Sequence, residues 1–120
     1  MSRRAERGRR AETQALRWLQ RRGLQLVARN FRCRSGELDL IMRSDDLLVV
    51  VEVRSRSHDR HLSPSDSIDR RKQVKIVRAT EYFLARHAAL AHLPVRLDVI
   101  SITGDQIDWI PDAFTAEDCL

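Results

Sequence analysis

Glu37-Leu38-Asp39-Leu40-Ile41, followed after the polar turn Ser44-Asp45-Asp46 by Leu47-Leu48-Val49-Val50-Val51-Glu52-Val53-Arg54, is the stretch whose reading decides the fold. Both runs have the alternating or continuous apolar character of β-strands, so the pair reads as a hairpin in the middle of a sheet. Side chains two apart on a strand share a face. That rule groups Glu37, Asp39 and Ile41 on one strand, and Val50, Glu52 and Arg54 on the next. Pairing through the turn can bring Asp39 and Glu52 close together, and two acids within strands this apolar need a cation to satisfy them. Two readings stay open here. One is a buried ion pair with Arg54 or a helix-borne lysine. The other is a divalent-metal site, because Mg²⁺ is held by one or two carboxylates plus waters and substrate phosphate oxygens.

Working outward toward the N-terminus, residues 24–34 read as a first strand that feeds the hairpin through Ser35-Gly36 and brings Arg29, Arg32 and Arg34 near the acids. A solvated strand face would explain these arginines, but their concentration beside carboxylates favours a phosphate-handling surface. Before them, residues 5–22 carry Ala11, Ala15, Leu16, Trp18 and Leu19 at helical spacing among arginines, and Gly23 supplies a left-handed stop. Glu12 lies along the edge of that apolar stripe, with Arg17 nearby as a pairing partner.

On the other side of the hairpin, residues 55–65 read as a polar loop containing His58 and His61, a His-x-x-His pair without helical or strand register and so a weak ligand signal. Pro64 and Asp66 are expected to open a long helix with the stripe Ile68, Lys72, Ile76, Val77, Thr80, Phe83, Leu84 and His87. Lys72 is then an inward-edge cation, and His87 a packed or surface residue. Pro94 ends the helix, residues 95–102 read as a strand, and a Gly104-Asp105 turn leads to residues 107–110, closing at Pro111. The order of one helix, three strands, one helix and two strands predicts a mixed sheet flanked by helices, an α/β or α+β sandwich.

At 120 residues the chain is expected to form one domain, 1–120, around one core. Lys and Arg number 22 against 17 acids, a net charge of +5, and the excess is lopsided. Residues 1–34 hold eleven arginines and only two acids, Glu6 and Glu12, while six acids and no base follow Arg96. One end of the molecule therefore attracts anions, which suits a phosphate backbone or an anionic membrane surface. Cys33 and Cys119 are far apart and lack ligand spacing, which argues against structural zinc and for a reducing cytosol. The longest apolar run, residues 47–51, is far too short to span a bilayer, and no signal-peptide core is seen. A soluble, cytoplasmic protein is expected.

The ordered set Ala11-Glu12-x-x-Ala15, Gly36-Glu37-Leu38-Asp39-Leu40-Ile41, Val51-Glu52-Val53-Arg54-x-Arg56, Ile68-x-x-x-Lys72, Arg96-Leu97-Asp98-Val99 and Asp108-Trp109-Ile110-x-x-Ala113-Phe114 resembles the UPF0102 (YraN-like) family of small bacterial proteins across nearly the whole chain. That family is similar to the restriction-endonuclease-like PD-(D/E)xK superfamily, distantly related to archaeal Holliday-junction resolvases. The resemblance implies a central mixed sheet between helices. It also implies that Asp39 and Glu52 are the metal-binding pair, that Glu12 is the helix-borne acid beside them, and that Glu37 and Lys72 support the site. Arg54 stands where the superfamily has a lysine. An arginine stays protonated, so its implied role is to stabilise charge.

The leading expectation is a Mg²⁺- or Mn²⁺-dependent nuclease hydrolysing DNA, branched or damaged DNA included. Asp39, Glu52 and Glu12 would hold the metal, Asp39, Glu52, Arg54 and Lys72 would carry catalysis, and Arg29, Arg32, Arg34 and Arg56 would meet the nucleic acid. The runner-up is a catalytically inactive nucleic-acid-binding protein of the same fold. A membrane-surface or protein-interaction module using the arginine-rich helix comes third, since the helix has few aromatics and leucines. The partner expected is DNA, with a homodimer left open and neither a membrane nor a small-molecule cofactor expected.

Overall fold

The computed structural model describes residues 3–56 and 68–117. Helix α1 (Arg3–Arg21) ends where Gly23 takes φ 92°, and Gly23 and Leu24 return their N–H groups to the carbonyls of Gln20 and Leu19. Three strands follow, β1 (Gln25–Cys33), β2 (Gly36–Ser44) and β3 (Leu47–Arg56). Helix α2 (Arg70–Arg86) and a single 3₁₀ turn then lead to β4 (Val95–Thr103) and β5 (Gln106–Phe114). The sheet order is β1-β2-β3-β4-β5, antiparallel except for the parallel β3–β4 pair that α2 connects. This is the mixed sheet with flanking helices that the element order predicts.

Each helix covers one face. The apolar stripe of α1, namely Ala11, Ala15, Leu16 and Leu19, is buried against Leu40, Met42, Val49, Val51, Ile100 and Ile102. On the opposite face, Ile76, Ala79 and Phe83 of α2 pack on Leu38, Ile41, Leu48, Val50, Leu97 and Val99. β3 and β4 alternate between the two sets, as a central strand covered on both sides must. Among the described residues no helix is long and apolar enough to cross a membrane.

Three details differ from expectation. Within the described residues the second helix starts at Arg70, because Asp69 is its N-cap and its Oδ1 accepts the Lys72 N–H at 2.8 Å; the expected start at Pro64 and Asp66, like His58 and His61, lies outside the described residues. β5 does not close at Pro111. It runs on to Phe114 through a bulge between the Val99–Ile110 and Leu97–Phe114 partners, where an edge strand tolerates a proline and Asp112 takes φ 54°. Thirdly, the period-2 alternation of β2 slips. Leu38 and Ile41 belong to the α2 side while Leu40 and Met42 belong to the α1 side, so strict alternation breaks between Leu38 and Leu40, around Asp39.

Candidate active site in the cleft of the hairpin

The slip at Asp39 marks a fork in the sheet. β2 and β3 are paired from Ser44–Leu47 to Leu40–Val51 and no further, whereas β1 stays on β2 to its end and β3 stays on β4 to Arg56–Thr103. Beyond Leu40 the sheet thus divides into two wings. Val53, now without a β2 carbonyl opposite, donates its N–H to Asp39 Oδ2 at 2.9 Å. The side chain of Asp39 replaces the missing backbone acceptor, which turns an aspartate in a strand into the hinge pin of the fork.

Glu52 lies across the fork, only 6% exposed, within hydrogen-bonding reach of Asp39. Its Oε1 meets Lys72 Nζ at 2.7 Å and Arg54 NH1 at 3.8 Å. The two cations anticipated for a buried ion pair are therefore both present, and both serve Glu52. Asp39 has no salt bridge among the described residues. Burial first, then the Glu52 charge, push its carboxyl up to about 8, against the pull of the Val53 N–H, with Glu12 adding to the rise. At neutral pH the pair holds an extra proton between two acids that cannot comfortably both ionise.

The helices bring further groups to this spot from opposite faces. Lys72 is in the first turn of α2, oriented by the Asp69 cap. Glu12 comes from α1, and its partner is not Arg17 but β1: Asn30 Nδ2 donates to Glu12 Oε1 at 2.8 Å, and Arg29 NH2 lies 3.8 Å from the same oxygen. The same Asn30 nitrogen reaches Glu37 Oε1 at 3.2 Å, and Arg32 Nε lies 3.6 Å from Glu37 Oε2. Arg34 is exposed and forms no ion pair among the described residues. Arg56 sits one face-repeat beyond Arg54, with a buried Nε that has no hydrogen-bond acceptor among the described residues.

Asn30 is the residue that sequence reasoning missed. It lies between the Arg29–Leu40 and Phe31–Leu38 partners, opposite Asp39, with φ 53°. Asparagine is among the few residues that enter this left-handed region, and an Asn inside an otherwise extended run was the available signal. Asp98, by contrast, is an acid that belongs to the fold. Its carboxylate takes Arg96 Nε and NH2, both at 2.9 Å, Trp109 Nε1 at 2.8 Å and the Asp112 N–H at 3.0 Å. Four donors leave it no acceptor capacity for a ligand.

The residues in the fork suit a hard divalent cation. Asp39 and Glu52 offer oxygen donors, and a cation could take the place of the proton they share. Among the described residues no three Asp, Glu, His or Cys side chains converge on one point, and Glu12 is turned toward Asn30.

A family model described as "Uncharacterised protein family UPF0102" matches residues 11–102. The chain belongs to the UPF0102 family. Its relatives there include a UPF0102 protein of Aeromonas hydrophila subsp. hydrophila, 52% identical over 108 residues, covering 89% of this chain and 83% of the other. One from Pseudomonas putida is 46% identical over 112 residues, covering 89% and 90%. One from Xanthomonas oryzae pv. oryzae is 47% identical over 118 residues, covering 97% of each. The stretch matched by the UPF0102 model runs from the buried face of α1 to β4 and so includes Glu12, Asn30, Asp39, Glu52, Arg54 and Lys72, while β5 lies beyond it.

Proposed function

We propose that this UPF0102 protein is a divalent-metal-dependent phosphodiesterase acting on DNA. The observation that carries the reading is the Asp39–Glu52 pair: two neighbouring carboxyls at a fork in the sheet, Asp39 half-buried and raised to about 8, Glu52 buried with Lys72 and Arg54 on it. A strongly perturbed acid beside fixed cations marks a functional-site candidate, and a buried ion pair is a poor way to stabilise a fold.

Asp39 and Glu52 would hold Mg²⁺ or Mn²⁺, with Glu12 close enough in charge to contribute. The ion would supply Lewis-acid polarisation of the scissile phosphate and acidify the attacking water. The chain's own residues do the remainder. Lys72 Nζ and Arg54 NH1 meet on one oxygen of Glu52 and can turn from it to the phosphoryl oxygens as negative charge accumulates there. The Arg54 guanidinium acts through charge and hydrogen bonds alone. Arg29, Arg32 and Arg56 rim the acids as phosphate contacts.

Calorimetric titration with Mn²⁺ tests the reading. Saturable binding is expected in the wild type and its loss in Asp39→Asn and in Glu52→Gln, since each removes one of two hard-oxygen anchors. If the wild type takes up no divalent ion at millimolar concentration, the acids hold no metal and the proposal fails.

A further inference from the structure

The outer face of α1 holds a depression of about 500 Å³ lined by Arg9, Arg10, Thr13, Gln14, Arg17 and Arg21. Four guanidiniums surround it, and none of them forms an ion pair among the described residues. The acid nearest in sequence, Glu12, is turned away toward Asn30, so nothing negative lines the depression. A stripe of this kind can be a solvated face, but its position argues otherwise. Arg29 NH2 donates at 3.1 Å to Oγ1 of Thr13, which lines the depression, while lying 3.8 Å from Oε1 of Glu12, whose charge is felt at Asp39. One side chain therefore links the cationic stripe to Glu12, the helix-borne acid next to the fork.

We infer that this face of α1 is a docking track for the phosphate backbone of a duplex DNA arm, which it leads to the Asp39–Glu52 fork. The inference rests on the DNA reading above and specifies how that substrate is held. From Arg10 to Arg21 the helix rises roughly 16 Å, matching about five nucleotides of one strand. Guanidiniums suit phosphate oxygens because they engage two at once, and α1 has arginine at every basic position and no lysine. A membrane surface fits poorly. An interfacial helix must offer an apolar face to the lipid, and that of α1 (Ala11, Ala15, Leu16 and Leu19) is already buried against the sheet.

The test is fluorescence anisotropy with a labelled duplex and a labelled four-way junction, in EDTA, over a series of salt concentrations. It compares the wild type with the double variants Arg10→Ala/Arg17→Ala and Arg10→Lys/Arg17→Lys, all checked for folding by circular dichroism. Loss of two phosphate contacts should reduce the slope of log affinity against log salt by about 1.8, so that between 50 and 200 mM salt the wild type loses about tenfold more affinity than the alanine variant. The lysine variant should keep the wild-type slope. An unchanged slope in the alanine variant overturns the track, and so does a wild type that binds no DNA at low salt. Release of the alanine variant from phosphatidylglycerol vesicles that the wild type binds, with DNA binding intact, assigns the face to membranes instead. A wild type that cleaves nothing with Mg²⁺ or Mn²⁺ while the slope still falls leaves the track standing and removes only catalysis.

Discussion

Under the function proposed above, Arg54 and Lys72 share the stabilisation of phosphoryl charge, and variants of Arg54 test its part. With Arg54 acting through charge alone, Arg54→Lys should keep or raise cleavage of a branched or nicked DNA, while Arg54→Ala should lower it about 10²-fold, the scale of one lost transition-state donor. Should the wild type, Arg54→Lys and Arg54→Ala all bind DNA yet cut no flap, four-way junction, single strand or RNA, the inactive nucleic-acid-binding reading prevails. Asn30 gives a second prediction. Its amide holds Glu12 and Glu37 together from a left-handed backbone that glycine also accepts, so Asn30→Gly should fold normally but weaken Mn²⁺ binding about tenfold, as loss of an outer hydrogen bond to a ligand group does. Unaltered Mn²⁺ affinity in that variant would show that Glu12 needs no such support. At this scale Asp39 and Glu52 were legible because carboxylates in apolar strands demand an explanation. Asn30 was not singled out, since its importance lies in a backbone angle and in partners 18 and 7 residues away.

Elements were legible wherever one strong pattern governs them. α1, β3 and β4 follow their apolar periods, and Gly23 ends α1 with φ 92°. Expectation failed where a side chain, not a period, sets the limit: Asp69 defines the start of α2, and Asp98 lets β5 continue past Pro111. Asp98 takes the Asp112 N–H that the bulge removes from the β4–β5 ladder and clasps Trp109, which also meets Trp18 of α1 edge-on at 5.6 Å. Asp98→Ala would strand the Trp109 N–H, the Asp112 N–H and the Arg96 guanidinium. A loss of about 3 kcal/mol is expected by denaturant unfolding, at the lower end for a broken buried pair because Arg96 can partly rehydrate. A loss below about 1 kcal/mol would mean that the bulge is held by packing alone.

For the whole molecule, the raised Asp39 carboxyl ties stability to pH. Folding lifts this group from 3.8 to about 8, so the folded chain holds a proton that the unfolded chain releases. The stabilisation is complete below about pH 4 and is lost as pH rises through about 8. The melting temperature of the metal-free wild type should accordingly fall relative to Asp39→Asn between pH 5 and 8, and Mn²⁺ should raise it most at the upper end, where the cation no longer competes with a proton. A wild-type-minus-variant difference independent of pH would count against it. By itself the sequence determined the family, the order of elements, the mixed sheet and the acidic pair, because hydrophobic period and residue type are local properties. Only the tertiary structure decided that β2 and β3 part at Leu40–Val51, that the Asp39 carboxyl fills the gap in the ladder, that Glu12 turns to β1 instead of Arg17, and that Lys72 reaches Glu52. Each of these depends on where a strand pair ends and how two helices lie on opposite faces, and that is settled by packing between segments far apart in the chain.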